Sequence, residues 1–294
     1  MIRIKTMYGL GDCLYVRPVL KYLCPSNITL ITPWPQIYHD IKGLSFILPT
    51  RTGLHSQQDN ITKLKAQYKM EREYPDFSLW YDLKKHSGLW NFFDLMIRYQ
   101  PKTVDKFMVC KEEWRETAQQ FLVNNGLTKK PICLIRANTQ RPEWFSWARS
   151  PKNEYLQLFI DMFKHKFHII SIANIKPNIE FYEKRLERCD HYIEQPSLDL
   201  TFGLFKIADL IVCSPSFWLA LAPAFNKQTL CLFGAGELPE RVIDPRLQNK
   251  DLTILAPEPF DDCVIDKKGA YKEIPVKTLV SSYTEKVRTL PCFA

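Results

Sequence analysis

Short apolar runs that read as strands alternate with stretches of helical period twice along this chain, and that order admits few architectures. MIRIKTMYGLGDCLYVRPVLKYL opens with Ile2, Ile4 and Thr6 alternating against Arg3, Lys5 and Met7. It breaks at Gly9-Leu10-Gly11-Asp12, then continues with Leu14, Val16, Leu20 and Leu23 at helical spacing around Arg17 and Lys21. NITLIT at 27–32 reads as a second strand, a short helix runs through Ile37 and Ile41, and FILP forms a third strand. Residues 51–73 read as an irregular loop and then a short exposed helix in KLKAQYKMERE. DFSLWYDL at 76–83 is a further strand, 86–99 an aromatic helix, and Glu112 to Asn125 an amphipathic helix with Gly126 as its C′ residue.

The second series starts at 131. PICLIRA is a strand, and Ser150-Pro151 opens a helix through Tyr155, Leu158, Phe159 and Met162, with the proline at its first position. HIISIAN at 168–174 is a strand and 178–188 a charged helix. Then follow a helix in LDLTFGLFKIAD, a strand in LIVCS, a helix in FWLALAPAF, a strand in TLCLFGA and a closing helix over 275–290. Strand–helix–strand order of this kind builds parallel sheets with helices on both faces. The expected fold class is α/β, with two doubly wound domains, 1–130 and 131–294, joined near Lys129-Lys130-Pro131 and facing a cleft.

Composition excludes several classes. With 46% apolar residues the chain is not disordered. No apolar run approaches about 18 residues, so no integral membrane contact is expected. The N-terminus reads as a strand and lacks the apolar core of a signal peptide, which points to a cytoplasmic protein. Nine cysteines, an odd number with no CxxC pair, argue against a disulfide framework and a zinc site. Those in PICLI, LIVCS and TLCLF read as buried reduced thiols. The formal charge of +8 fits an anionic partner such as a nucleotide, a phosphorylated sugar or nucleic acid. The lysines are dispersed and form no basic tail.

Doubly wound sheets bind ligands beyond the carboxyl ends of their strands. Asp12 sits at such a strand-to-helix turn and reads either as a general base or as a helix N-cap. Gly9 and Gly11 leave room for close backbone approach, although GLGD lacks the full dinucleotide fingerprint. Arg136 ends the strand that opens the second domain, and Arg141 and Arg149 flank a loop containing Trp144, Phe145 and Trp147. Arginine pairs bidentately with phosphate, so Arg149 and Arg136 rank first as diphosphate ligands, against the alternative of ordinary solvated arginines. Ser214 and Ser216 begin a helix whose N–H groups can hold an anion. Gly234 and Glu237, in Gly234-Ala235-Gly236-Glu237, either approach the base or ribose or form a plain turn. Asp261-Asp262 is a poor magnesium site, so no metal is expected.

Three segments in order resemble the ADP-heptose:lipopolysaccharide heptosyltransferase family. They are GLGDCLYVRPVLKYL, ARSPKNEYLQLFIDMF and ADLIVCSPSFWLALAPAFNKQTLCLFG, with DFSLWYDLK as a fainter echo. The resemblance implies a GT-B fold of two Rossmann-like domains. It also implies metal-independent inverting sugar transfer with Asp12 as base and a nucleotide sugar as co-substrate, with no cofactor. Arg17, Trp80 and Trp90 then fall on the acceptor side, although core packing also accounts for the aromatic residues. Where the family carries Asp-Ser-Gly and a His, this chain has Pro215-Ser216-Phe217 and Ala220. Ser150 replaces the family's Trp.

The expected function is therefore an inverting glycosyltransferase. Its acceptor is a saccharide or glycolipid, or hydroxymethylated pyrimidine in DNA. The altered donor loop leaves a non-catalytic nucleotide- or glycan-binding protein of the same fold as the alternative. A Rossmann-type epimerase or oxidoreductase is disfavoured by the missing GxGxxG and the missing Tyr-x-x-x-Lys pair.

Overall fold

The computed structural model describes residues 2–23, 27–72, 74–79, 105–141, 150–182, 184–234, 239, 243, 250–258 and 273–293. The chain divides into two compact units, Met1–Met108 with Glu240–Gln248, and Val109–Pro239 with Asn249–Ala294.

In the first unit, β1 (Ile2–Thr6), β2 (Ile28–Ile31), β3 (Leu44–Pro49), β4 (Met70–Glu71) and β5 (Phe77–Leu79) form one sheet in the order β4-β3-β2-β1-β5, with every pair parallel. Helix α1 (Leu10–Leu23) buries Cys13, Leu14, Val16, Val19 and Leu20, the face its apolar spacing marks out. The short helix after β2 is a 3₁₀ turn over Pro35–Tyr38. The helix expected in KLKAQYKMERE lies earlier, as α2 (His55–Leu64), and Met70–Glu71 is a strand on β3. The physical reason is that α2 buries Gln57, Asn60 and Ile61, so two of its three inward residues are polar and apolar spacing does not reveal them.

The second unit begins with α3 (Glu112–Asn124), ahead of the Lys129-Lys130-Pro131 segment. Gly126 ends it at φ +68°, with Leu127 N donating to Leu122 O and Gly126 N to Val123 O. That is a Schellman stop, and it needs a residue tolerant of positive φ. Six parallel strands follow: β6 (Ile132–Arg136), β8 (His168–Ile172), β10 (His191–Ile193), β11 (Leu210–Cys213), β12 (Thr229–Leu232) and β13 (Leu252–Leu255), in the order β10-β8-β6-β11-β12-β13. All residues of β8, β11 and β12 are buried, as the unbroken apolar runs require of strands covered on both faces. Helices α4 (Asn153–Phe163), α5 (Leu198–Ile207), α6 (Phe217–Ala224) and α7 (Val276–Arg288) complete the unit.

Two expectations are corrected here. Pro151 is not the first residue of α4, which starts at Asn153 behind the N-cap residue Lys152. The Pro151 carbonyl instead accepts from Asn138 Nδ2 at 2.5 Å, tying the approach to the helix onto the loop after β6. The described residues of 178–188 form no helix. They hold β9 (Phe181–Tyr182), which pairs antiparallel with β7 (Thr139–Gln140). Asn178 and Arg188 adopt φ of 60° and 62°, which a right-handed helix excludes. The expected helix at 86–99 and the end of the strand at 80–83 lie outside the described residues.

Helix α3 packs on α5 at very short range. Trp114 meets Phe202 edge-on with centroids 5.0 Å apart. A Cβ placed on Gly203 would collide with the Trp114 carbonyl oxygen and stand 2.9 Å from Ala118 Cβ. Gly203→Ala is therefore expected to destabilise the protein by about 1–3 kcal/mol through overpacking, read as a lower urea midpoint at unchanged m-value.

Candidate functional site

In the first sheet β1 lies between β2 and β5, so the strand order reverses at its carboxyl end. A ligand crevice forms at such a switch point. The chain leaves β1 there, passes through Met7, Tyr8 and Gly9, and enters α1. Gly9 O accepts the first helical bond, from Cys13 N at 2.9 Å. Asp12 is not the flanking N-cap residue, because the helix already begins at Leu10 and places it third, with Gly11 second. Its half-buried carboxylate lies over Gly9: a Cβ there would collide with Oδ2 and stand 3.2 Å from Cγ. Glycine at position 9 makes the space that the Asp12 carboxylate occupies. A negative charge in the first helical turn is also favoured by the helix dipole.

The loop before Asp12 is tied down on several sides. Tyr8 O accepts from Trp34 Nε1 and from Gln57 Nε2, each at 2.8 Å. Met7 O accepts from Thr6 Oγ1 at 3.0 Å and from Cys13 Sγ at 3.2 Å. Burial pushes the Cys13 thiol up to about 12, so it serves as a packed donor and not as a nucleophile.

Arg17 does not sit where an acceptor could reach it. It is 1% exposed, donates through Nη2 to both carboxylate oxygens of Asp40 at 2.8 Å, and bonds the Ile37 carbonyl through Nη1. Its charge is spent on joining α1 to the 3₁₀ turn. The acceptor-side expectation for Arg17 is corrected on that ground.

In the second sheet β6 lies between β8 and β11, and the order reverses there. Arg136, Ser214 and Gly234 come at or just after the carboxyl ends of β6, β11 and β12, three neighbouring strands. Ser216 caps α6, its hydroxyl accepting from Trp218 N at 3.3 Å. Both the capping and the anion-site readings of this turn fit that geometry. Arg136 Nη2 is 3.3 Å from Glu180 Oε1, and Arg141 Nη2 is 2.6 Å from Oε2. Thr139 Oγ1 donates to Oε1 at 2.6 Å. Glu180 is 1% exposed. Burial lowers the Arg136 pKa and the Glu180 charge opposes that shift. A guanidinium stays protonated under such conditions, so among the described residues two cations share one carboxylate, with one positive charge in excess.

Arg149, Glu237, Trp80 and Trp90 lie outside the described residues, as do Trp144, Phe145, Trp147 and Asp261-Asp262. Among the described residues no group of three or more His, Cys, Asp or Glu is placed to hold a metal ion, and no helix is long and apolar enough to cross a membrane. Sequence reasoning missed Glu180, Trp34 and Gln57. Glu180 was read into a helix. Its one signal was the concentration of Arg136, Thr139 and Arg141 within six positions, a run rich in donors that needs an acceptor.

No protein-family model and no curated protein sequence matches the chain. Solved structures do match. A glycosyl transferase family 9 structure from Veillonella parvula aligns with a TM-score of 0.68 at 15% identity, over 97% of this chain and 96% of that one. The E. coli ADP-heptose lps heptosyltransferase II aligns at 0.62 and 10% identity, over 98% of both. TibC of enterotoxigenic E. coli, described as a dodecameric iron-containing heptosyltransferase and solved with ADP-D-β-D-heptose, aligns at 0.58 and 11% identity over 98% of this chain and 76% of that one. At such identities the likeness is one of fold. The chain has the mixed α/β fold of two Rossmann-like domains, GT-B, that its sequence led one to expect.

The reading of Arg17 has a direct check. Asp40 is 6% exposed and its other cation, Lys21, is 3.9 Å away. Arg17→Met is expected to cost about 3–5 kcal/mol in urea unfolding by leaving a buried carboxylate poorly paired. Adding Asp40→Leu should restore much of that loss, which a ligand-binding role for Arg17 would not predict.

Proposed function

We propose that this protein is an inverting glycosyltransferase that moves a sugar from a nucleoside-diphosphate donor to the hydroxyl of a saccharide or glycolipid acceptor. The observation that carries the reading is the pairing of chemistry with topology. A carboxylate stands at the switch point of the first sheet. In the second sheet Arg136 ends β6 at the switch point and, with Arg141, outnumbers the carboxylate of Glu180, while a capped helix N-terminus follows the neighbouring strand β11. The fold shared with heptosyltransferases supports the same assignment.

The chemistry follows from these groups. Asp12 takes the proton of the acceptor hydroxyl as its oxygen attacks the anomeric carbon. The bond from that carbon to the diphosphate oxygen breaks, configuration inverts, and the nucleoside diphosphate leaves with the electron pair. The charge developing on the leaving group is met by Arg136 and Arg141, which retain donors beyond those given to Glu180, and by the N–H groups at the start of α6. Arg149 is proposed as a further diphosphate ligand, and Gly234 and Glu237 as contacts to the nucleoside. No step is assigned to a metal, so transfer should persist in EDTA.

An ADP-sugar is the first donor to try, because TibC is described with ADP-heptose. A thermal-shift series with ADP-, UDP-, GDP- and CMP-sugars, run on wild type and Asp12→Asn, tests the proposal. One donor should raise the melting temperature of both proteins. Wild type should consume it with a saccharide acceptor, and Asp12→Asn should transfer about 10²–10⁴-fold more slowly. Donor binding without consumption on any acceptor, hydroxymethylated DNA included, would replace this reading with that of a non-catalytic binding protein.

A further inference from the structure

The Tyr8 carbonyl accepts two side-chain hydrogen bonds, and its donors come from separate elements. Trp34 precedes the 3₁₀ turn and Gln57 lies in the first turn of α2. Both are buried, at 4% and 3% exposure. With each donor at 2.8 Å, both lone pairs of the carbonyl are engaged.

Neither donor is adventitious. The Gln57 amide is oriented by its other end, where Oε1 accepts from Leu54 N at 3.3 Å. Only one amide orientation satisfies a backbone N–H on one side and a backbone carbonyl on the other. Trp34 is held by its own N–H, which donates to Thr32 Oγ1 at 3.1 Å. The residues on either side of Trp34 are also tied to α2, as Asn60 Nδ2 donates to Pro33 O at 2.6 Å and Gln36 Nε2 donates to Asn60 Oδ1 at 2.8 Å. The donors thus sit on a cross-braced frame.

The consequence runs one residue further. Fixing the Tyr8 carbonyl fixes the plane of the Tyr8–Gly9 peptide. Gly9 then supplies both the first acceptor of α1 and the surface over which the Asp12 carboxylate lies. We infer that Gln57 and Trp34 are positioning residues that hold the Asp12 carboxylate in place for the acceptor hydroxyl. This rests on the glycosyltransferase reading above. A small misplacement of a reacting group costs rate far more than it costs binding.

Gln57→Glu keeps the size of the side chain and turns one donor into an acceptor facing another oxygen. Trp34→Phe keeps the ring and removes the other donor. Amide hydrogen exchange over residues 7–13 is measured first on the full chain and requires no ligand. Both variants should exchange faster there, while α4 and α5 keep wild-type protection. With the nucleotide sugar that wild type consumes, kcat should fall about tenfold or more at an unchanged donor KM. Relative to wild type at the same pH, Gln57→Glu should regain rate as pH falls and its carboxyl becomes a donor again, whereas Trp34→Phe should show no such recovery. If Gln57→Glu does not fold, Trp34→Phe decides the matter. Unchanged exchange, or faster exchange with unaltered kcat, overturns the inference. A wild type that consumes none of the nucleotide sugars overturns the glycosyltransferase reading and the catalytic role with it. That failure shows in the wild type, whereas failure of the positioning role shows only in the variants.

Discussion

Strands covered on both faces carry few polar side chains away from their ends. In this protein β6, β8, β11 and β12 are buried almost throughout, and Ser171 is the one hydroxyl residue inside them, away from the ends. The parallel order makes all carboxyl ends of a sheet point the same way, and a reversal of strand order opens a gap between two crossovers. Among the described residues each unit has one such reversal, after β1 and after β6. Asp12 follows the first, and Arg136 ends the strand at the second. The location of the chemistry is thus a consequence of how the sheets bury themselves, before any particular reaction is considered.

That logic also marks what could be read without coordinates. The strand–helix alternation, the Schellman stop at Gly126 and the turn at Ser216 follow from local rules of period, left-handed glycine and N-capping, and all three appear in the fold. The α2 helix did not, because its inward residues Gln57 and Asn60 are polar and their partners, Tyr8 O and Pro33 O, are distant in sequence. The β7–β9 ribbon escaped for a similar reason. The charges on 178–188 suggest a solvated helix, yet Glu180 is buried by arginines some forty residues away. Hydrophobic patterning records burial of apolar surface, and it is blind to burial that is compensated by hydrogen bonds.

The two buried charge clusters of the described residues have different balances. Arg17 and Asp40 form a pair whose charges cancel, with Nη2 shared between both carboxylate oxygens and Lys21 at the margin. Such a pair braces a helix and offers little to a ligand. Around Glu180 the sum is different, since Arg136 and Arg141 both lean on one carboxylate. A partly buried excess of positive charge is costly unless something anionic completes it. The first arrangement is balanced as it stands, whereas in the second Glu180 matches only one of the two guanidinium charges. This contrast separates Arg17, expected on the acceptor side, from Arg136, which the strand pattern places at the end of β6.

The loop after β11 can be weighed in the same terms. Where the resembled family has Asp-Ser-Gly, this chain has Pro215-Ser216-Phe217, so a carboxylate is gone while the serine that caps α6 remains. The cap hydroxyl satisfies Trp218 N, and Ser216 O accepts from Leu219 N at 3.0 Å, so the turn keeps its geometry without the acidic residue. Losing a negative charge beside the positive end of a helix makes that end more hospitable to a diphosphate. Contacts that the lost side chain would have made to the rest of a donor are gone with it. The cap and the helix N-terminus behind it thus do not depend on an acidic residue at position 215. The side chains at Pro215, Phe217 and Ala220, where the resemblance places donor contacts, are the part of this segment that departs from the family's pattern.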